Sequence, residues 1–273
     1  MVDALLARGM RVRALVRNPE SDKAKALAQR GVELAMGNLN DAESIRAAAS
    51  GQDAVWINTT PFLPGVGPEG EIAQGRLIVD ALAGLDVPHV VYSSVSDANR
   101  NTGVPHFDSK WDAEQRLQDS GLVVTITAPV FFADNVVAPW NVPSLKTGTF
   151  SHAMPADRRL QVVSVRDIGR FNAAVIARGP TLAGRRINYA GDELTSAEMT
   201  EVMARHSGRP LTYAEQPIEQ VRAMMEDTAT MFEWFVRDGY TADISALRQE
   251  FPEVEWMTFD DWASTVDWKG LLR

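Results

Sequence analysis

The sequence predicts an α/β fold: a doubly wound parallel sheet with a smaller, mainly helical domain built from the carboxyl-terminal part. Two observations carry that prediction. In the first half, short β-type runs alternate with helical stretches long enough to cross a sheet, and such right-handed crossovers join parallel strands. From Thr195 onward the pattern turns mainly helical, with Met199, Val202 and Met203 on one face and a Met/Phe/Trp-rich run from Met224 to Phe235. A chain of 273 residues, 45% hydrophobic and without cysteine, is long enough to bury such a core without disulfides.

The elements follow in order. Val2 to Arg8 read as the end of a helix stopped by Gly9. Arg11 to Arg17 form a strand, and Asn18-Pro19 turn the chain. Lys23 to Arg30 are helical and closed by Gly31, and Val32 to Met36 form the second strand. Asn40, three residues before Glu43, sets a capping box for a helix that runs to Ser50 and Gly51. The third strand is Ala54 to Asn58, followed by a Pro/Gly-rich loop from Pro61 to Gly70. A longer helix, Glu71 to Leu85, leads into the strand His89 to Ser93. Asp108 to Asp119 are helical, and Leu122 to Thr127 make the next strand. Pro129, Pro139, Pro143 and Pro155 break up a loop-rich stretch before a helix at Asp167 to Arg178 and a strand at Arg186 to Ala190. The expected domains are residues 1–128 with 161–191, holding the sheet, and 129–160 with 192–273, a substrate or lid domain.

Composition excludes several function classes. A formal net charge of −9 opposes general nucleic-acid binding, which needs a surplus of Lys and Arg against phosphates. No apolar run approaches the ~20 residues that span a bilayer. Without cysteine there is no thiolate catalysis, and His89, His106, His152 and His206 stand too far apart in sequence for a metal-ligand pattern, so no metal is expected. With no cysteine and no signal peptide read at the amino terminus, the cytoplasm is the expected compartment.

A dinucleotide-binding sheet opens with a strand, a glycine-rich turn and the first helix. Here Ala4 to Gly9 followed by Arg11 to Arg17 read as that first helix and the second strand, with no G-x-G-x-x-G spacing upstream of them. In the strand order 3-2-1-4-5-6 the opening strand is central. Without it, its neighbours keep unpaired backbone groups costing roughly 1–3 kcal/mol each, and the N–H groups that cradle a pyrophosphate are lost. Two readings stay open: a native chain longer by roughly 20 residues at this end, or a sheet that has closed up without the strand. The cost of deleting a central strand favours the first; the second predicts weak or absent cofactor binding.

Several phrases in order carry a family resemblance. They are Arg13-Ala14-Leu15-Val16-Arg17-Asn18-Pro19, Gly37-Asn38-Leu39-Asn40-Asp41, Asn58-Thr59-Thr60-Pro61 and Val91-Tyr92-Ser93-Ser94. Further along come His106-Phe107-Asp108-Ser109-Lys110, Val165-Arg166-Asp167-Ile168-Gly169 and Thr258-Phe259-Asp260-Asp261-Trp262. Nearly end to end, the chain resembles the NmrA-like family of atypical short-chain dehydrogenases/reductases, which have a Rossmann-like fold and bind NAD(P)(H). It departs from the family pattern in lacking the glycine motif.

The topology and the resemblance nominate site residues. Arg17, at the tip of its strand, suits the 2′-phosphate of NADP, where an Asp or Glu would select NAD; its alternative is a solvated strand-end arginine. Lys23 adds charge nearby or sits on an exposed helix face. The resemblance places adenine contacts at Asn38 and Leu39, which are also the turn ahead of a helix. Asn58, Thr59, Thr60 and Pro61 end the third strand beneath the dinucleotide, with Phe62 as a cover. Ser93 and Ser94 end the next strand, and a hydroxyl there stands where conventional relatives have the catalytic serine. His106 and Lys110 lie four apart on one helix face. Conventional relatives carry Tyr-x-x-x-Lys there, the lysine binding the nicotinamide ribose and lowering the tyrosine pKa. His106 replaces that tyrosine and can serve as a general acid, or it is only a helix-start residue. Pro129 and Phe131, with Val130, Phe132 and Asn135, correspond to the nicotinamide wall. Trp140 and Met154 line the substrate side or belong to the core, and Trp256, Trp262 and Trp268 read as packing or a protein contact.

Three functions remain in view. The first is an NADPH-dependent reductase of a small carbonyl, quinone or enone, with NADP(H) preferred over NAD(H). The second is a non-catalytic NADP(H) sensor that acts on a regulatory protein partner. The third is a cofactor-free scaffold, suggested by the absent glycine motif.

Overall fold

In the computed structural model, which describes residues 1–273, the chain gathers into two units. The first holds residues 1–94, 106–127 and 169–187, and the second holds 95–105, 128–168 and 188–273.

The first half alternates as its periodicity requires: α1 (Val2–Leu6), β1 (Arg13–Val16), α2 (Asp22–Ala28), β2 (Glu33–Met36), α3 (Ala42–Ala49), β3 (Val55–Ile57), α4 (Gly67–Leu82), β4 (Val90–Ser93), α5 (Pro105–Asp119) and β5 (Val124–Pro129). Two expectations need correction. Asn40 does not cap α3. Asp41 does, its side chain accepting from the Glu43 N–H, because the extended backbone at Asp41 points that carboxylate at the first turn. The helix expected from Glu71 begins at Gly67, with Pro68 in its first turn, where a missing N–H costs nothing.

The strands pair in parallel but form two separate ladders. β1 pairs with β2, Leu15 opposite Ala35. The second ladder runs β3-β4-β5-β9, where β9 is Arg186–Tyr189, with Trp56 opposite Val91 and Tyr92 opposite Ile126. β1 and β3 do not pair with each other, so the sheet has not closed up between them. One core still serves both ladders: Ile57 of β3, Ile78 and Leu82 of α4 and Ile126 of β5 lie within it, and Leu15 of β1 packs against it. Asn172, fully buried on α7 (Val165–Arg178), accepts from Trp56 Nε1 at 3.0 Å and from Thr127 Oγ1 at 2.7 Å, linking β3 to β5.

The second unit contains β6 (Phe131–Phe132), α6 (Val142–Lys146), β7 (Thr149–His152), β8 (Arg159–Val163), β10 (Asp192–Thr195) and β11 (Thr212–Glu215). They form a three-stranded sheet, β10-β8-β6, and a two-stranded one, β11-β7. Its helices are α8 (Ser196–Ser207), α9 (Ile218–Met224), α10 (Glu226–Arg237), α11 (Ile244–Glu250), α12 (Phe259–Ser264) and α13 (Trp268–Leu271). Thr195 and Glu198 close a full capping box on α8. The apolar run from Met224 is not one helix: the extended backbone at Met225 (φ −158°) separates α9 from α10. Trp256, Trp262 and Trp268 are buried, which makes the tail a packing element. Met154 is core, whereas Trp140 is 71% exposed. No helix is long and apolar enough to cross a membrane.

Candidate functional site

Arg17, Asn38, Leu39, Asn58 to Pro61, Ser93 and Ser94 stand at or just beyond the carboxyl ends of parallel strands, where open α/β sheets bind ligands. Arg17 follows β1 directly; it is exposed, and no hydrogen bond or ion pair within the chain engages its guanidinium. Lys23 lies exposed on α2. Asn38 is exposed but occupied, its Oδ1 accepting from Asn40 N at 2.8 Å and its N–H donating to Ser44 Oγ at 3.2 Å. Its turn is tight: a Cβ at Gly37 would overlap Ser44. Leu39 packs against the core. These two residues therefore serve the turn and the core.

Past β3, Asn58 is exposed and Thr59 and Pro61 are buried. Thr59 Oγ1 lies 3.0 Å from the Tyr92 hydroxyl, and Thr60 Oγ1 accepts from Phe62 N at 3.4 Å. Ser93 ends β4 with its hydroxyl unbonded within the chain. Ser94 Oγ donates to the buried Glu114.

His106 and Lys110 share one face of α5, as their spacing requires, and both are buried. The His106 ring meets Phe62 edge-on at 5.2 Å and Phe107 at 4.8 Å. Lys110 turns into the unit. Its Nζ lies 3.1 Å from Glu71 Oε1, donates to the Thr59 carbonyl, and has Thr59 Oγ1 at 3.3 Å and the Ser93 carbonyl at 3.5 Å. The ammonium also sits 5.6 Å from the centre of the Tyr92 ring. Burial pulls its pKa below the ordinary lysine range, with the Glu71 carboxylate opposing the shift.

Sequence reasoning missed both buried acids at this site. Glu71 is fully buried on α4 and accepts from Ser109 Oγ at 2.5 Å besides pairing with Lys110. Glu114, equally buried, takes Arg186 Nε at 2.7 Å and Nη2 at 3.1 Å. Burial pushes its carboxyl above the usual range against the pull of Arg186. In sequence both read as ordinary polar positions of amphipathic helices, and only their spacing against the apolar stripe hinted at burial. The sequence also spells G-x-G-x-x-G at Gly65, Gly67 and Gly70, downstream of β3. That loop opens α4 with Gly65 and Gly67 at positive φ, but Glu69 in the first turn opposes an anion there.

In the second unit, the Pro129 carbonyl accepts from Ser96 N at 2.8 Å. The Phe131 ring stands edge-on to His152 at 5.5 Å and to Phe235 at 6.0 Å. No cluster of His, Cys, Asp or Glu is placed to hold a metal ion.

Comparison with known proteins agrees with this architecture. The sequence profile of the NmrA-like family matches residues 1–263. The chain belongs to the NmrA-like family. A relative, the NAD(P)H azoreductase of Xenophilus azovorans, is 27% identical over 214 residues, covering 78% of this chain and 71% of that protein. The NADPH-dependent quinone oxidoreductase of Escherichia coli, solved with NADPH, superposes with a TM-score of 0.80 at 20% identity, covering 96% of this chain and 94% of that one. NmrA, a negative transcriptional regulator solved with NADP, superposes at 0.77 with 22% identity, covering 98% and 95%. This NmrA-like chain thus has the mixed α/β fold with parallel strands that its sequence predicts.

Proposed function

We propose that this NmrA-like protein is an NADP(H)-dependent oxidoreductase acting on a small carbonyl, quinone or enone. The observation that carries the reading is Arg17: an exposed guanidinium, unengaged within the chain, at the carboxyl end of a parallel strand. A planar, permanently charged fork there suits a ribose 2′-phosphate. Arg17 suits the adenosine end of the cofactor, and Asn58 and the free Ser93 hydroxyl supply polar groups at the ends of β3 and β4. Bound NADPH would supply a hydride to the substrate. Arg17 would hold the 2′-phosphate, His106 or a water would deliver the accompanying proton, and Lys110 would act through the strand ends it braces. The reductase and quinone-oxidoreductase relatives support this reading.

The test is calorimetric titration with NADPH and NADH, followed by NADPH oxidation against quinones, aldehydes and azo dyes. Wild type is expected to bind NADPH in the micromolar range. Arg17→Ala should weaken NADPH by roughly tenfold to a hundredfold, the worth of a charged hydrogen bond, and leave NADH unchanged. Failure of the wild type to bind either nucleotide overturns the proposal.

A second reading is a sensor that binds the nucleotide without turnover. It is favoured by His106 in the tyrosine's place and by the engagement of the Lys110 ammonium with Thr59, Ser93 and Glu71. Binding without oxidation by any member of the panel would select it.

A further inference from the structure

We infer that Glu71 is a positioning residue of this site: its carboxylate holds the Lys110 ammonium against the Thr59 and Ser93 carbonyls and so fixes the carboxyl ends of β3 and β4. The inference rests on the proposed cofactor reading only in that those strand ends are where the nucleotide would lie.

The argument begins with burial. Glu71 has no exposed surface, and a carboxylate withdrawn from water needs a cation and hydrogen-bond donors to remain charged. Both come from consecutive residues of α5: Lys110 Nζ at 3.1 Å from Oε1 and Ser109 Oγ at 2.5 Å from Oε2. The helices can come this close because Gly75, one turn beyond Glu71, faces Ala113, one turn beyond Ser109; a Cβ at Gly75 would lie 3.0 Å from the Ala113 Cβ. The carboxylate therefore sets the direction of the Lys110 side chain. That direction brings Nζ to the Thr59 and Ser93 carbonyls, in buried residues at or just beyond the ends of neighbouring parallel strands. The ammonium acts as a staple across two strand tips, and the carboxylate keeps it there.

The groups facing Lys110 are few. Glu71 faces it from α4, Glu114 adds a weaker attraction from α5, and Tyr92 presents its ring from β4. The charge of Glu114 is shared with Arg186 and Ser94, which leaves Glu71 as the acid in direct contact. Removing its charge while keeping its shape should leave the buried ammonium without an anion in contact, so that it sheds its proton at lower pH.

The test compares wild type, Glu71→Gln and the double variant Glu71→Gln/Lys110→Met. Two readouts are taken: amide hydrogen exchange at residues 58–60 and 93–95 in the free protein, and NADPH affinity between pH 6 and 10. Glu71→Gln is expected to speed exchange at those strand ends about tenfold relative to the rest of the first unit. It is also expected to move the alkaline loss of NADPH affinity down by a pH unit or more. The double variant, with no buried charge left to strand, should keep the wild-type urea midpoint and lose the alkaline limb altogether. Exchange that is unchanged at the strand ends, or faster everywhere alike, overturns the inference. So does an unmoved alkaline limb in a variant that still binds. If the wild type binds no NADPH, the proposed function fails, and the exchange comparison alone decides whether Glu71 positions the strand ends.

Discussion

Among single residues, burial divides groups that look alike in the sequence. Of the nominated cations, Arg17 stands free in solvent at a strand tip while Lys110 is folded inward onto a carboxylate. Chain position made the exposed setting of Arg17 legible, because a charged residue just past the end of a strand leaves the sheet's core wherever the strand is recognised. The inward turn of Lys110 was not legible, because its partner Glu71 lies 39 residues away on another helix. His152 shows the same division. Its imidazole is buried among Phe131, Phe150 and Phe232, with Nδ1 unbonded, and burial lowers its pKa to about 4. A pKa below the unfolded value of 6.5 means that the unfolded chain binds the extra proton between those values, so stability falls as pH is lowered through that window. This residue should cost about 2 kcal/mol of stability between pH 7 and pH 5. Urea unfolding of wild type and His152→Phe at both pH values checks it: the variant should show a smaller loss on acidification by about that amount, and equal losses would refute the assignment.

For whole elements, periodicity located the strands and helices of the first half, and local chemistry misled only at their ends. The capping pattern at Asn40 was shifted by one residue to Asp41, and the glycines and proline ahead of Glu71 were absorbed into α4. In both places backbone direction decided the outcome, and residue type alone carries little of that information. The close approach of α4 to α5 is likewise invisible in either helix by itself, since a glycine inside a helix reads as a propensity penalty. With Gly75 set against Ala113, a larger side chain must push the helices apart. Gly75→Val should therefore destabilise the protein by about 1–3 kcal/mol. It should also loosen the Lys110–Glu71 contact, read as a lower thermal midpoint together with faster exchange at residues 58–60. A wild-type midpoint would show that the contact carries no packing constraint.

Over the whole molecule, the first unit is stabilised by an apolar core and by charges it has buried in pairs. Glu114 is fully buried and Arg186 nearly so, one on α5 and the other at the start of β9, with a bidentate contact between them. Such a pair adds little over an apolar replacement, but breaking it strands a charge. Arg186→Met should cost about 3–5 kcal/mol in urea unfolding, and Arg186→Met/Glu114→Gln should recover much of it. If the double variant is no more stable than the single one, the bridge is not the source of the loss. The second unit adds aromatic packing, with Phe150, Trp234 and Phe235 wholly buried and Trp256, Trp262 and Trp268 buried as well.

The order of residues alone determined the α/β class, the parallel strands, the family and the place of Arg17, His106 and Lys110 on their elements. Each of these follows from periodicity or local motif, which are properties of neighbours along the chain. Only the tertiary structure decided that β1 and β3 stay unpaired, that Leu39 packs against the core, and that Lys110 answers to Glu71. Those outcomes depend on groups far apart in sequence meeting out of water, where a charge must find its partner or be lost.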